Sequence, residues 1–223
     1  MLQDVTPPYG QYAKPLDARK LGRDWPTDNL TPRGLILNLG NDCWACFDTE
    51  LLRMAVIWEG AGITPVGMAQ GSYQRAGVKA SEGEEKLPQI IGTPWLANGI
   101  YPGWQTGEQP SFTDPREPGP DPHEIGRGPL SEKLGRFKAV RLTERGVCLE
   151  YEVNGASVRE WVESGMENGE RMVRRRFHLE NVRAPMWLVL NHRPTSDSQN
   201  LSRALAVAGP PSEIGRASCR ERV

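Results

Sequence analysis

Alternation of apolar and polar side chains predicts a β-hairpin in the second half of the chain. In residues 147–153 every second side chain is apolar, which is the period of a strand with one buried face. Asn154-Gly155 comes next, a dipeptide typical of a two-residue hairpin turn. The return strand 156–162 then gives four cross-strand pairs: Val153 with Ala156, Tyr151 with Val158, Glu150 with Arg159, and Leu149 with Glu160. The last pair puts Glu160 on the apolar face, so we expect it near the margin of the sheet.

Five more segments have the composition and spacing of strands. The segment 51–58 also satisfies a helical spacing, but it is short and ends at Glu59-Gly60, which favours a strand. The segment 186–190 is continuously apolar, as in a strand buried on both faces. The five segments are 35–39, 43–47, 51–58, 171–179 and 186–190. Together with the hairpin they predict a mostly β protein, an antiparallel β-sandwich-like domain.

Glycine and proline divide the chain into regions. Residues 1–33 are polar and contain five prolines, which predicts an extended lead-in with few places for a helix. Residues 34–212 are expected to form a single β-rich domain. Within it, residues 61–130 are a long excursion rich in Gly, Pro and aromatic side chains. A stretch this long without periodicity is either a functional loop or a cover packed over the sheet.

The last residues, 213–223, read Glu-Ile-Gly-Arg-Ala-Ser-Cys-Arg-Glu-Arg-Val. This string resembles the in-frame translation of a common sequencing adapter, and such added residues are set aside in reasoning about a fold. An ordinary basic tail is the alternative interpretation. The adapter interpretation implies that the native sequence continues beyond Ser212 and that the β domain is truncated at its C-terminal side.

Net charge and the length of apolar runs argue against two classes of function. Lys and Arg total 27, and Asp and Glu total 28, so the net charge is -1, whereas a nucleic-acid-binding domain is strongly basic. No apolar run approaches the ~18 residues that predict a membrane-spanning helix. We therefore expect neither nucleic acid nor a membrane span among the interactions of this chain.

Cys43-Trp-Ala-Cys46 is a Cys-x-x-Cys motif. A haem c attachment site requires His as the next residue, and residue 47 is Phe. A zinc site requires a second pair of ligands, and only Cys148 and three scattered histidines remain for it in the β-rich part of the chain. Two residues three apart on a strand face opposite sides of the sheet. We therefore expect both cysteines in the core, and no metal or other cofactor in this chain.

Aromatic and polar side chains of the excursion are suited to a sugar-binding platform. Aromatic rings stack on the apolar faces of sugars, and polar groups orient the hydroxyls. The alternative is that these aromatics pin the long loop to the sheet. Binding predicts that Trp95 or Trp104 is exposed, and pinning predicts that both are buried. The candidate ligand-binding residues are Trp95, Tyr101, Trp104, Asp114, Arg116 and His123.

Several short segments resemble a bacterial domain family of unknown function. The most specific is Cys46-Phe-Asp-Thr-Glu-Leu-Leu-Arg-Met54; the others are Arg33-Gly-Leu-Ile-Leu37, Trp58-Glu-Gly60, Pro102-Gly-Trp104, Asp114-Pro-Arg116 and Gly128-Pro-Leu130. The resemblance covers about residues 33–162 and supplies no catalytic residues. It implies the N-terminal side of a large exported protein that continues into a sugar-dehydrogenase-like propeller and a c-type cytochrome module. It also implies a periplasmic or extracellular location, although the first residues lack the features of a secretory signal.

Two hypotheses about function follow. In the first, the chain is a non-catalytic β module of a larger exported redox protein, and it packs on downstream domains of the same chain or contacts a glycan. Any haem c then belongs to those downstream modules. In the alternative, the chain is a carbohydrate-active enzyme domain that uses acidic residues of the 61–130 excursion. The enzyme hypothesis requires a pocket that joins Asp114, Arg116 and His123.

Overall fold

The computed structural model describes residues 13–64, 87–119, 127–144 and 146–191, and the backbone alone of residues 10–12, 203–207 and 218–221. These residues form three antiparallel sheets. The first sheet has the strands β1 (Gly10–Asp17), β2 (Leu30–Gly40), β3 (Cys43–Asp48), β4 (Arg53–Ile63) and β5 (Ile90–Ala97), in that order. The second has β7 (Gly135–Thr143), β8 (Gly146–Val153), β9 (Ala156–Glu167), β10 (Glu170–Glu180) and β13 (Ser218–Glu221), in the order β13-β10-β9-β8-β7.

A small third sheet attaches the long excursion to the rest of the fold. It has the strands β6 (Trp104–Gln105), β11 (Met186–Asn191) and β12 (Arg203–Val207), in the order β12-β11-β6. Among the described residues there is no helix that is long and apolar enough to cross a membrane. The architecture confirms the prediction of a mostly β, antiparallel, sandwich-like fold.

The main core lies between the first and second sheets. Alternate residues of β2 and β3 on one side, and of β8 and β9 on the other, belong to the same buried cluster. The opposite face of the first sheet is also buried, beneath Leu21 and Trp25 of the loop between β1 and β2. Burial on both faces explains why residues 54–58 of β4 are continuously apolar and why the segment 51–58 satisfies both a strand spacing and a helical spacing.

The predicted hairpin is present with the predicted register. Val153 pairs with Ala156 and Leu149 pairs with Glu160 across β8 and β9. Asn154 has a φ of 50° and Gly155 a φ of 79°, the left-handed conformations that a type I′ turn requires. The expectation that Glu160 lies at the sheet margin is wrong, because this residue is fully buried between β8 and β10.

The regions expected from Gly and Pro contribute strands as well as loops. Residues 1–33 supply β1 and the first residues of β2, which pair with each other in the first sheet. The 61–130 excursion supplies the end of β4 and all of β5 and β6. Its segments 65–86 and 120–126 lie outside the described residues.

The cysteines of the Cys-x-x-Cys motif face opposite sides of β3. Cys43 belongs to the core between the sheets, and Cys46 belongs to the cluster on the other face. Both are buried and carry free thiols. Burial raises the pKa of Cys43 to about 11 and raises the pKa of Cys46 further. The prediction that both cysteines lie in the core is confirmed.

Candidate functional site

The turn between β3 and β4 is built around the carboxylate of Asp48. Asp48 Oδ1 accepts hydrogen bonds from the backbone N–H groups of Glu50 (2.9 Å) and Leu51 (3.2 Å). Asp48 Oδ2 accepts one from Arg53 Nε at 3.1 Å. Leu52 completes the turn with a φ of 51°, a left-handed conformation that is unfavourable for a bulky residue. The local hydrogen bonds of Asp48 therefore hold a strained backbone in place.

The Arg53 guanidinium joins this turn to two distant segments. It donates to the backbone oxygens of Asn98 (2.5 Å) and Gly99, which follow β5. It also donates to Leu30 O at 3.4 Å and Thr31 Oγ1 at 3.3 Å, at the start of β2. A buried arginine is tolerated only when its charge and its donors are satisfied, and here a carboxylate and four oxygens do so.

A second ion pair, between Asp114 and Arg116 of the excursion, contacts Glu50 in the same turn. Arg116 forms a two-bond fork with Asp114, with Nε–Oδ1 at 2.9 Å and Nη2–Oδ2 at 3.0 Å. Arg116 Nη1 also reaches Glu50 Oε2 at 3.3 Å and Gly128 O at 2.5 Å. On the solvent side, Arg33 lies 3.3 Å from Glu50 Oε1. We call Asp48, Glu50, Arg53, Asp114 and Arg116 the motif cluster.

The motif cluster shifts the pKa values of two of its carboxyl groups in opposite directions. Burial raises the pKa of Asp114, but hydrogen bonds from Arg116 and the charges of Arg116 and Arg127 outweigh this effect and lower it overall. Burial and the neighbouring charge of Asp48 raise the pKa of Glu50, although Arg116 and Arg33 oppose them. Asp114 is therefore ionised at neutral pH and acts only as an acceptor.

A pocket of about 170 Å³ lies beside the motif cluster. Its walls come from the loop after β5, the loop around Pro115, the segment that precedes β7 and the turn of the β8–β9 hairpin. The lining residues are Pro102, Trp104, Gln105, Thr106, Ser111, Thr113, Pro115, Leu130, Leu134 and Asn154. None of these ten side chains carries a charge. The pocket therefore combines apolar surface with neutral hydroxyl and amide groups.

The indole of Trp104 connects the pocket with the core of the second sheet. Trp104 Nε1 donates to the hydroxyl of Tyr151 at 3.0 Å, and that hydroxyl donates to Glu160 Oε2 at 2.8 Å. Arg175 Nε donates to Glu160 Oε1 at 2.6 Å. Phe177 packs edge-on against the Trp104 ring. Burial and the charge of Glu160 raise the pKa of Tyr151, so its hydroxyl keeps the proton that it donates.

The structure separates the predicted ligand-binding residues into three groups. Tyr101 and Trp104 are buried, and Tyr101 donates its hydroxyl proton to Asn98 Oδ1 at 2.9 Å. Trp95 is partly buried and packs against the main core. Asp114 and Arg116 bond to each other, while His123 lies outside the described residues. Burial of Trp104 agrees with pinning of the loop, whereas the partial burial of Trp95 matches neither alternative fully. Among the predicted residues that the structure describes, Trp104 alone lines the pocket.

Several residues of the site were missed by sequence reasoning. Asp48, Glu50 and Arg53 belong to the most specific segment of the resemblance, but that segment had no assigned role. The signal available was the presence of two acids and one arginine within six residues, with Asp at the position that caps a turn. Ser111 and Thr113 carry no comparable signal, because isolated hydroxyl residues are common in loops. No group of three or more His, Cys, Asp or Glu side chains suited to a metal occurs in the part of the chain that is described.

Comparison with protein families gives one match. A family model described as "Domain of unknown function (DUF6797)" matches residues 45–160, just over half of the chain. The matched range includes the whole motif cluster and all ten residues that line the pocket. No curated protein and no solved structure matches the chain.

Proposed function

The chain belongs to the DUF6797 family of domains of unknown function, and we propose that it is a non-catalytic β module of a larger exported redox protein, acting by contact with a glycan. A periplasmic or extracellular location is part of this proposal. Any haem c is placed in domains downstream of this chain. One observation carries the non-catalytic part of the proposal: the acidic side chains of the motif cluster bond to arginines, and the pocket beside them is lined by neutral groups.

The proposed contact with a glycan is supported by the chemistry of the pocket. Leu134 is 38% exposed and offers apolar surface at the pocket, where Trp104 and Leu130 are buried wall residues with little exposed surface. An exposed apolar group suits the C–H face of a sugar ring. The hydroxyls of Ser111 and Thr113 bond to each other at 2.8 Å and are exposed. A hydroxyl can donate and accept at once, as the hydroxyls of a sugar do.

Contact with a neighbouring domain is the second candidate, and exposed apolar side chains favour it. Phe112 is 37% exposed and Leu134 is 38% exposed. Both belong to the segments that surround the pocket. Apolar side chains of this size at a pocket mouth are suited to an interface with a downstream domain of the same chain.

The enzyme alternative is weakened by the state of Asp114. A general acid must hold a proton near neutral pH, whereas Arg116 and Arg127 lower the pKa of Asp114. A nucleophile or general base must reach its substrate, whereas both oxygens of Asp114 accept hydrogen bonds from Arg116. Asp114 therefore has the surroundings of a structural carboxylate.

Binding and turnover by the full chain test this proposal together. The chain is mixed with insoluble cellulose, chitin, xylan and bacterial cell wall, and the bound fraction and the release of reducing ends are measured. We expect retention on at least one of these materials without release of sugar. Thr113→Trp, which fills the pocket mouth, should abolish retention. Thr93→Trp, on the exposed part of β5 opposite Glu59, is the matched control. Release of sugar that Asp114→Asn abolishes would instead establish the enzyme alternative.

The assignment to a larger redox protein has its own test. The source DNA is sequenced in reads long enough to pass the codon for Ser212. A reading frame that continues into a propeller and a Cys-x-x-Cys-His motif would support the assignment. A frame that encodes residues 213–223 and then stops would contradict it.

A further inference from the structure

We infer that the pocket binds a single neutral sugar ring, at the end of a glycan or on a branch, rather than a length of sugar chain. This inference rests on the glycan contact proposed above and specifies its ligand. It is carried by the size of the pocket, by the chemistry of its lining and by the way its walls are held.

The size of the pocket leaves room for no more than one six-membered ring. Its volume is about 170 Å³, and an apolar protein cavity of about 150 Å³ is known to hold one benzene molecule. Sites for larger ligands typically measure about 300–1,000 Å³. A chain of several sugars therefore has room for only one of its units inside this pocket.

The lining matches a ring that has an apolar face and a polar edge. Five of the ten lining residues are apolar, and they include Trp104 and Leu134. The other five are neutral and polar: Gln105, Thr106, Ser111, Thr113 and Asn154. Thr106, Ser111 and Thr113 are exposed, so their hydroxyls are available at the pocket mouth to the hydroxyls of a ligand.

Two sets of hydrogen bonds hold the pocket in shape. The Gln105 amide donates to Pro102 O (2.9 Å) and Ser111 O (2.7 Å), and it accepts from Ser111 N at 2.6 Å. These bonds fix the loop that carries the hydroxyls. The bond from Trp104 Nε1 to Tyr151 fixes the aromatic wall. A site that is already ordered loses less conformational entropy when it binds its ligand.

The charges nearest the pocket argue for a neutral sugar. Asp114 and Arg116 flank the lining residue Pro115, but their side chains point at each other in a two-bond fork. None of the ten lining residues is charged, so the ligand meets no Lys or Arg side chain on the pocket wall that would pair with the carboxylate of a uronic acid. The expected preference for neutral sugars follows from this uncharged lining.

Titration of the ¹⁵N-labelled full chain with soluble sugars tests the inference. The probes are the methyl glycosides of glucose, galactose, mannose, xylose and N-acetylglucosamine, the matching linear pentasaccharides, and glucuronic and galacturonic acid. The readout is the indole N–H signal of Trp104, assigned by its loss in Trp104→Phe. We expect a neutral monosaccharide to shift this signal, with an affinity within about threefold of its pentasaccharide and at least about tenfold above the uronic acids.

Substitutions at the pocket mouth should weaken the binding of the sugar. Thr113→Trp should weaken binding by at least about tenfold, and Thr93→Trp should leave it unchanged. Thr106→Trp fills the mouth from another residue and replaces Thr113→Trp if that variant does not fold. An affinity that rises steeply with chain length, or a preference for uronic acids, would overturn the single-ring inference and leave the glycan contact standing. Absence of binding by every probe and by the insoluble materials would overturn both.

Discussion

Arg53 and Asp48 form an ion pair of 3.1 Å between Nε and Oδ2, and their side chains are 0% and 1% exposed. The pair spans the turn between β3 and β4, and the remaining donors of Arg53 bind the segments at residues 30–31 and 98–99. Removing two such charges from water is costly, so the pair itself adds little to stability. What the structure shows is that Arg53 joins three segments that are far apart in the sequence.

Replacement of Arg53 tests the importance of this connection. Arg53→Met leaves the Asp48 carboxylate buried beside an apolar side chain, so we expect a loss of about 3–5 kcal/mol in the free energy of unfolding. Urea denaturation followed by tryptophan fluorescence measures it. The control is Arg33→Met, because Arg33 is 68% exposed in its pair with Glu50 and should contribute less than about 1 kcal/mol. Equal losses in the two variants would show that the buried pair has no special role.

The close approach of Gly103 to the same turn gives a second prediction. Gly103 N donates to Leu51 O at 3.0 Å, and Gly103 O accepts from Val189 N at 2.9 Å. A Cβ atom at residue 103 would contact Leu52 O and lie 2.7 Å from Arg53 Cα. We therefore expect Gly103→Ala to lower the free energy of unfolding by about 1–3 kcal/mol.

Gly165 is the matched control for Gly103. It lies in β9, and the nearest atom to a Cβ there is Met172 Cγ at 3.9 Å. Gly165→Ala should therefore change stability by less than about 0.5 kcal/mol. If Gly103→Ala were as mild as Gly165→Ala, the loop would not be fixed against the turn as the structure has it.

The features predictable from the sequence are the local ones. The register of the β8–β9 hairpin is correct at every predicted pair, because the period of two and the Asn154-Gly155 turn act within a few residues of each other. The predicted position of Glu160 at the sheet margin is wrong, because the residue that makes its burial tolerable is Arg175, on the next strand. A pattern that shows an acid on an apolar face does not show which cation will meet it.

The candidate site was predictable only in part, for the same reason. Asp114 and Arg116 are predicted as polar groups beside the aromatic segment, and they bond to each other, but the bond from Arg116 to Glu50 spans 66 positions. Trp104 is predicted either as an exposed platform or as a buried side chain that pins the loop, and folding places its Nε1 against Tyr151, 47 positions away. The pocket exists only where such distant segments meet, so no local pattern indicated its shape.

The opposite pKa shifts within the motif cluster predict opposite pH dependences. The pKa of Asp114 lies below its ordinary 3.8 in the folded protein, so its stabilising contribution is complete above pH 3.8 and is lost as the pH falls through the folded value. The stability difference between wild type and Asp114→Asn should therefore be constant at neutral pH and shrink below that point. Urea denaturation at a series of pH values measures this difference.

The contribution of Glu50 to stability should depend on pH in the opposite direction. Its pKa lies above 4.5 in the folded protein, so its contribution is complete below pH 4.5 and is lost as the pH rises through the folded value. Relative to Glu50→Gln, the wild type should therefore lose stability as the pH rises from 4.5 towards neutrality. Glu117→Gln, at an exposed position close to Arg116 in the sequence, reports the background. The same pH slope for the Asp114 and Glu50 differences would contradict the pairing described for the cluster.

The buried pair of Glu160 and Arg175 supports the last prediction. Glu160→Gln leaves the Arg175 guanidinium buried beside a neutral amide, so we expect a loss of about 3 kcal/mol in the free energy of unfolding. Adding Arg175→Met removes that charge, while the new amide oxygen in the double variant can still accept the hydrogen bond from Tyr151. The double variant should therefore be more stable than the single one, although it carries one more substitution.

Two further measurements separate this effect from a general loss of packing. Glu150→Gln removes a carboxylate from the solvent-facing side of the same hairpin, where it pairs with Arg141, and should leave the unfolding curve unchanged. The indole N–H signal of Trp104 should shift in Glu160→Gln, because the hydroxyl that accepts this proton donates to residue 160. A double variant less stable than Glu160→Gln would mean that Arg175 stabilises the sheet by its contact with Phe177 more than it requires a counter-charge.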